Sequence, residues 1–256
     1  MRISIRVRNS LRQGAVRSAR ERLLQMTSLV VVLLLVAPAV ARAQDQAESL
    51  EGFEKAIAAD PENLRIAADY RQLAIAVEKF DRSIDFLEKL ARRKGSGPNL
   101  QISLALAYVD KVPTSGDIRR LYLGRDAMGA LTRSLRQRPS VLAYYVRGVI
   151  NLFYNNFIFK RIPRGIEDLQ QAIGIATEET PAALVARAYA ALGDGYWKLN
   201  EKDKARDVWR RGAERYPGHD VLDLRLDEDE RLVARTVSKA LYAPNRVDTS
   251  LRDALP

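Results

Sequence analysis

The chain has 256 residues, 47% of them hydrophobic and 29% charged, with a formal net charge of +10. That apolar share supports a packed core and excludes a disordered chain. With no cysteine and one histidine, His219, disulfides, thiolate metal sites, thiol nucleophiles and multi-histidine metal centres are excluded.

The charge is unevenly placed. Residues 1–43 hold eight arginines and one acid, Glu21, so +7 of the +10 lies there and the rest is nearly balanced. The basic character therefore does not point to nucleic acid. The arginine-rich start precedes an apolar run, Met26–Ala37; Pro38 breaks it, and Ala41-Arg42-Ala43 offers the small residues a signal peptidase needs ahead of Gln44. The run falls short of the ~20 residues of a bilayer span. We expect a cleavable Sec-type signal peptide with cleavage after Ala43, a periplasmic or secreted mature protein, and no stable membrane span afterwards. An uncleaved anchor is the competing reading. No cysteine follows the run, which excludes a lipoprotein, and no Arg-Arg pair suggests twin-arginine export.

Beyond the leader, apolar residues recur near every 3.6 positions and no alternating stretch suggests a strand, so the expected class is all-α. The pattern predicts helices near 45–59, 64–77, 80–93, 99–110, 117–137, 140–157, 163–176, 180–199 and 202–215. Asp117 is the expected N-cap of the long fifth helix. Ser-Gly and Gly-Pro clusters at 95–98 and 114–117 punctuate the chain. A last amphipathic helix is expected over Asp220–Tyr242, acidic at its start and basic at its end as the helix dipole favours. The tail 243–256 is expected to be frayed or strapped over that helix.

A period near 34 residues underlies these helices. Counted from Ala186, Tyr189 falls at 4, Leu192 and Gly193 at 7 and 8, Tyr196 at 11, Ala205 at 20, Trp209 at 24, Gly212 at 27 and Pro217 at 32. Small residues at 8, 20 and 27 let two helices approach, and large ones at 4, 11 and 24 fill the gaps. In phase with this unit are a half-repeat at 45–63 and repeats at about 64–97, 98–140 and 141–179, the last two lengthened by inserts at 111–120 and 154–163. Together they make an array over 44–219.

This spacing resembles the tetratricopeptide repeat (TPR), a helix–turn–helix unit. The resemblance implies an α-solenoid of helix hairpins, here closed by the capping helix 220–242, since a solenoid needs a polar terminal cap. It also implies that the first helix of each hairpin lines a concave groove through positions 2, 5, 9 and 12–13. On this sequence those are Arg65 and Gln72; Asn99, Leu106 and Val109; Tyr145, Leu152 and Phe153; and Arg187, Asp194 and Trp197. The Lys/Asn set with which chaperone-binding members clamp a terminal carboxylate is not matched. The aromatic run Tyr154–Phe159 reads either as local core or as an apolar wall beside the groove.

No residue set suggests catalysis. His219 follows Pro217-Gly218 at a repeat boundary with no nucleophile or orienting partner in view. The acidic stretch Asp223–Glu230 lacks calcium-loop spacing. Gly193-Asp194-Gly195 lies inside a predicted helix, and Arg119-Arg120 and Arg210-Arg211 read as solvated faces. The expectation is a non-catalytic exported scaffold, without metal or cofactor, binding a partner protein or peptide in its groove, with the oligomeric state left open. The alternative is an accessory protein binding a lipid or organic acid for an envelope transport system.

Overall fold

The computed structural model describes residues 48–153, 160–242 and 249–255. The expected leader and the aromatic run at 154–159 lie outside these residues. Contacts divide the chain into residues 1–51 and 52–256. Of the first unit, residues 48–51 are described and are helical; all that follows concerns the second.

The helices are α1 (52–59), α2 (Leu64–Ala76), α3 (Phe80–Ala91), α4 (Pro98–Lys111), α5 (Asp117–Gln137), α6 (Val141–Phe153), α7 (Ile162–Gly174), α8 (Ala182–Lys198), α9 (Lys202–Arg215), α10 (Asp220–Asp223) and α11 (Glu230–Ala240). Among the described residues there is no strand. Starts follow local chemistry: Asn63 accepts from the Ile66 N–H at 3.1 Å, and Pro98 and Pro163 stand in first turns, where a missing N–H costs nothing. The two hairpins without inserts turn in the same way. Glu78 and Asn200, both at repeat position 15, take left-handed φ of 56° and 62°. The next N–H reaches back to position 11, Lys79 to Ala74 at 2.8 Å and Glu201 to Tyr196 at 3.0 Å, satisfying a carbonyl that the helix end would orphan.

The first insert lengthens helices rather than forming an open loop. Its chain passes from α4 through a 3₁₀ turn, Val112–Thr114, into α5. Gly116, not Asp117, is the N-cap of α5; Asp117 is its first residue and pairs with Arg120 at 2.8 Å.

From α2 to α10 each helix packs on the next, and first helices also meet across repeats, α2 with α4 and α6 with α8. The small-against-large pairing is literal. A Cβ on Gly193 (position 8) would lie 2.0 Å from Nε1 of Trp209 (position 24), and one on Gly212 (position 27) would lie 2.7 Å from Cβ of Tyr189 (position 4). One repeat earlier the contact recurs: a Cβ on Gly148 would lie 2.7 Å from Cγ of Leu169 and 3.1 Å from the Gly165 carbonyl. Ala205, Trp209 and Gly212 are buried, Leu192 joins the core around Leu152 and Leu169, Tyr196 packs at its edge, and Pro217 stands exposed after α9.

Polar groups tie neighbouring hairpins. Burial pushes the Glu54 carboxyl up, but hydrogen bonds from Arg82 at 2.8 and 3.0 Å and from Tyr70 at 2.9 Å outweigh it and hold the group below its ordinary 4.5. Burial and Glu54 together push the Tyr70 phenol far up, so it serves as a donor. Glu62, in the turn before α2, accepts from the N–H groups of Asn99 and Leu100 at 3.1 and 3.2 Å and so caps α4 of the next repeat. Glu62→Ala is expected to cost about 1 kcal/mol, the usual worth of a lost helix cap. Chemical denaturation should show it as a lower midpoint with unchanged slope.

The C-terminal segment departs from the expected single helix. It breaks at 224–229 because Arg225 turns inward, and Asp229 then caps α11, accepting from the Arg231 N–H at 2.9 Å. Nor is the described tail frayed, or a strap over the cap. Residues 249–251 and 254–255 are buried, and the tail's partners lie on α2, α4 and α8.

Candidate functional site

Helices α2, α4, α6 and α8 are the first members of their hairpins. On α2, Arg65, Asp69 and Gln72 follow one another at i, i+4 and i+7 and so share a face. That face and α8 hold the chain's own tail. Arg65 donates to the Leu255 carbonyl at 3.1 Å. Asp69 accepts from Arg252. On α8, one Arg187 nitrogen lies 2.9 Å from both carboxylate oxygens of Asp253. Partial burial pushes Asp253 up, but Arg187 outweighs it and holds the carboxyl below its ordinary 3.8, so the pair is charged at neutral pH.

Beside these partly exposed contacts lies a buried one. Arg71 on α2 and Asp110 on α4 pair at 2.9 Å, with side chains 2% and 4% exposed. The second terminal nitrogen of Arg71 donates to the Thr249 carbonyl at 2.9 Å, and the Thr249 hydroxyl donates to Asp110. A buried ion pair keeps its charges only when its remaining hydrogen-bond sites are filled; here the tail's main chain and hydroxyl fill two of them.

The other expected groove residues divide sharply. Asp194 is 1% exposed and bound by both Nε and Nη2 of Arg225 at 2.6 Å, so it is not available to a ligand. Leu152 and Leu106 are buried, Leu152 in the core between α6 and α8, because position 12 of α6 meets the next first helix. Asn99 donates to the Glu62 carbonyl at 2.9 Å and accepts from Arg138 at 3.1 Å, which makes it part of the joint between repeats. Trp197 packs on Trp209 with ring centroids 5.7 Å apart, and the Lys202 ammonium stands 5.3 Å from its ring centroid; it belongs to the last hairpin's core. Tyr145 packs half-buried against the core around Leu152. Phe153 is half-buried at the end of α6. Gln72 is partly buried, and its Nε2 has no hydrogen-bond partner among the described residues. Val109 is also partly buried.

Among the described residues no three His, Asp or Glu side chains are placed to hold a metal ion, and no helix is long and apolar enough to cross a membrane. The surface offers guanidinium and carboxylate groups to main-chain carbonyls and charged side chains, over buried aliphatic contacts. Groups so placed suit a peptide, with its own carbonyls and side chains, as the occupant.

The fold is similar to that of a solved structure, TTC0263, a thermophilic TPR protein of Thermus thermophilus. The TM-score is 0.50 and the identity 18%, over 79% of this chain and 93% of that one. The chain has the tetratricopeptide-repeat fold. Two other solved structures are similar at lower scores. MamA matches at TM-score 0.46 and 21% identity over 70% of this chain and 91% of its own. YrrB, described as a TPR protein with an unusual peptide-binding site, matches at 0.44 and 17% over 79% and 97%. No family model and no curated protein sequence matches the chain.

In TPR terms, sequence reasoning missed three residues of the site, Asp69, Arg71 and Asp110, and the last two left a trace. Position 8 is small in the later repeats, Ala105, Gly148 and Gly193, yet Arg71 stands there in the first. Asp110 occupies position 13 of its repeat, a groove position, at the end of the apolar stretch from Leu104 to Val109. A cation where the TPR pattern wants no side chain, and an acid ending an apolar helix one repeat on, mark a buried pair.

Proposed function

We propose that the protein is a non-catalytic, exported scaffold that binds a non-helical segment of a partner protein on the face formed by α2, α4 and α8, the concave face in the TPR fold. One observation carries this reading. That face accommodates a non-helical stretch, 249–255, through side-chain contacts to two main-chain carbonyls and through three charged or hydroxyl side chains. Such contacts suit a peptide better than a lipid or organic acid. Export rests on the leader's composition, with the mature chain starting at Gln44.

A photo-crosslinking residue at Gln72 tests the site, with the same residue at Arg210, exposed on α9, as control. In the envelope fraction, position 72 should give a discrete protein adduct and position 210 none. Equal adducts from both faces, or adducts from position 210 alone, would overturn the assignment.

A further inference from the structure

The tail is itself a peptide lodged on the proposed groove, and its fit is imperfect. Its charged side chains meet complementary partners, Arg252 with Asp69 and Asp253 with Arg187. Its apolar residues are buried: Leu251 at 4%, Ala254 at 0% and Leu255 at 4% exposure. Yet Leu251 holds a φ of 51°, a left-handed conformation that crowds the Cβ of any residue but glycine. It opens a turn in which the Ala254 N–H donates to the Leu251 carbonyl at 2.7 Å. Of the three side chains on the shared face of α2, Arg65 and Asp69 bond the tail, while the Gln72 amide nitrogen finds no partner among the described residues.

We infer that residues 249–255 are a tethered occupant of the groove, and that the partner is a peptide of the same chemistry, apolar–basic–acidic–small–apolar in the order of Leu251-Arg252-Asp253-Ala254-Leu255, which displaces the tail on binding. This rests on the groove reading above. Residues 241–248 join α11 to Thr249, so docking of the tail is an intramolecular event. A connection this short puts the tail at an effective concentration of about 1 mM at the groove. A tail that docks with a Kd of about 100 µM would then raise the apparent Kd of a competing peptide about tenfold.

The test uses the full chain and a labelled, amide-capped peptide of residues 249–255 as probe. Asp253→Lys breaks the tail's contact with Arg187 at an exposed position and should bind the probe about tenfold more tightly than the wild type. Arg187→Glu should lose the probe and regain binding to a probe carrying lysine in place of its aspartate. Equal binding of the probe to wild type and Asp253→Lys, or binding to neither, would make the tail a fixed strap and overturn the inference.

Hydrogen exchange on the wild type supplies a check that needs no variant. Excess probe should speed exchange of the tail's own amides at 250–254, and unchanged exchange would overturn the inference. The groove reading is judged separately, by the adduct formed from position 72. If that adduct forms equally in wild type and Asp253→Lys, the tail does not compete although the groove binds. If it forms in neither, the groove reading itself fails.

Discussion

Arg225→Ala is expected to destabilise the protein by about 3–5 kcal/mol, the cost of breaking a buried ion pair by removing one partner. Asp194, 1% exposed, would be left buried with neither of its 2.6 Å guanidinium bonds. Burial already pushes that carboxyl above its ordinary 3.8, and the guanidinium is the charge that opposes the rise. Arg225 also donates to the Val221 carbonyl at 2.6 Å, so the same change frees α10 from its anchor on α8. For a domain of this size the loss corresponds to a fall in melting temperature of roughly 10 °C, read by circular dichroism. The double variant Asp194→Ala/Arg225→Ala removes the stranded carboxyl as well. It should therefore be less destabilised than the sum of its single changes. A single Arg225→Ala variant that melts at the wild-type temperature would show that the pair contributes nothing to the C-terminal closure.

That pair also shows where the sequence stops being readable. Helix positions are legible because each hairpin repeats one set of steric demands. The reading of 117–137 matches Asp117–Gln137, and that of 202–215 matches Lys202–Arg215. The same logic marks Gly193 as a small and Trp209 as a large member of the hairpin's packing, while the structure shows that these two meet each other. Asp220–Tyr242 misled because an amphipathic stripe reports which residues are apolar, not which arginine will turn inward. Arg225 finds its acid 31 positions away, a separation that no period of 3.6 or 34 encodes. Asp194 misled for a related reason: position 9 faces ligand in the family pattern, but in the last repeat the closing segment reaches it first and occupies Asp194. The tail has no periodicity at all, and its placement follows from charges on α2 and α8 that are unremarkable singly.

Gly193→Ala tests the steric core of the hairpin, because two effects of opposite sign meet there. Alanine in a helix interior is favoured over glycine by about 1 kcal/mol. At Gly193 the added Cβ would lie 2.0 Å from Nε1, 2.4 Å from Cδ1 and 2.6 Å from Cε2 of Trp209. The indole cannot swing aside. It is fully buried, its Nε1 donates to the Ala190 carbonyl at 3.0 Å, and Trp197 packs against it. Helices α8 and α9 must part instead, at an overpacking cost of about 1–3 kcal/mol, with about 1 kcal/mol more if the indole hydrogen bond breaks. The net expectation is a loss of about 2 kcal/mol, visible as a lower denaturation midpoint and altered tryptophan fluorescence. Gly129→Ala is the matched control. It sits in the middle of α5, where the nearest atom to a new Cβ is the flexible end of Arg133 at 3.5 Å, so propensity alone acts and the protein should gain up to about 1 kcal/mol. Adding Trp209→Phe to Gly193→Ala shortens the facing ring and should recover part of the loss. Equal gains at both glycines would mean that the hairpin has room to spare, and that small residues at position 8 are not what brings its two helices together.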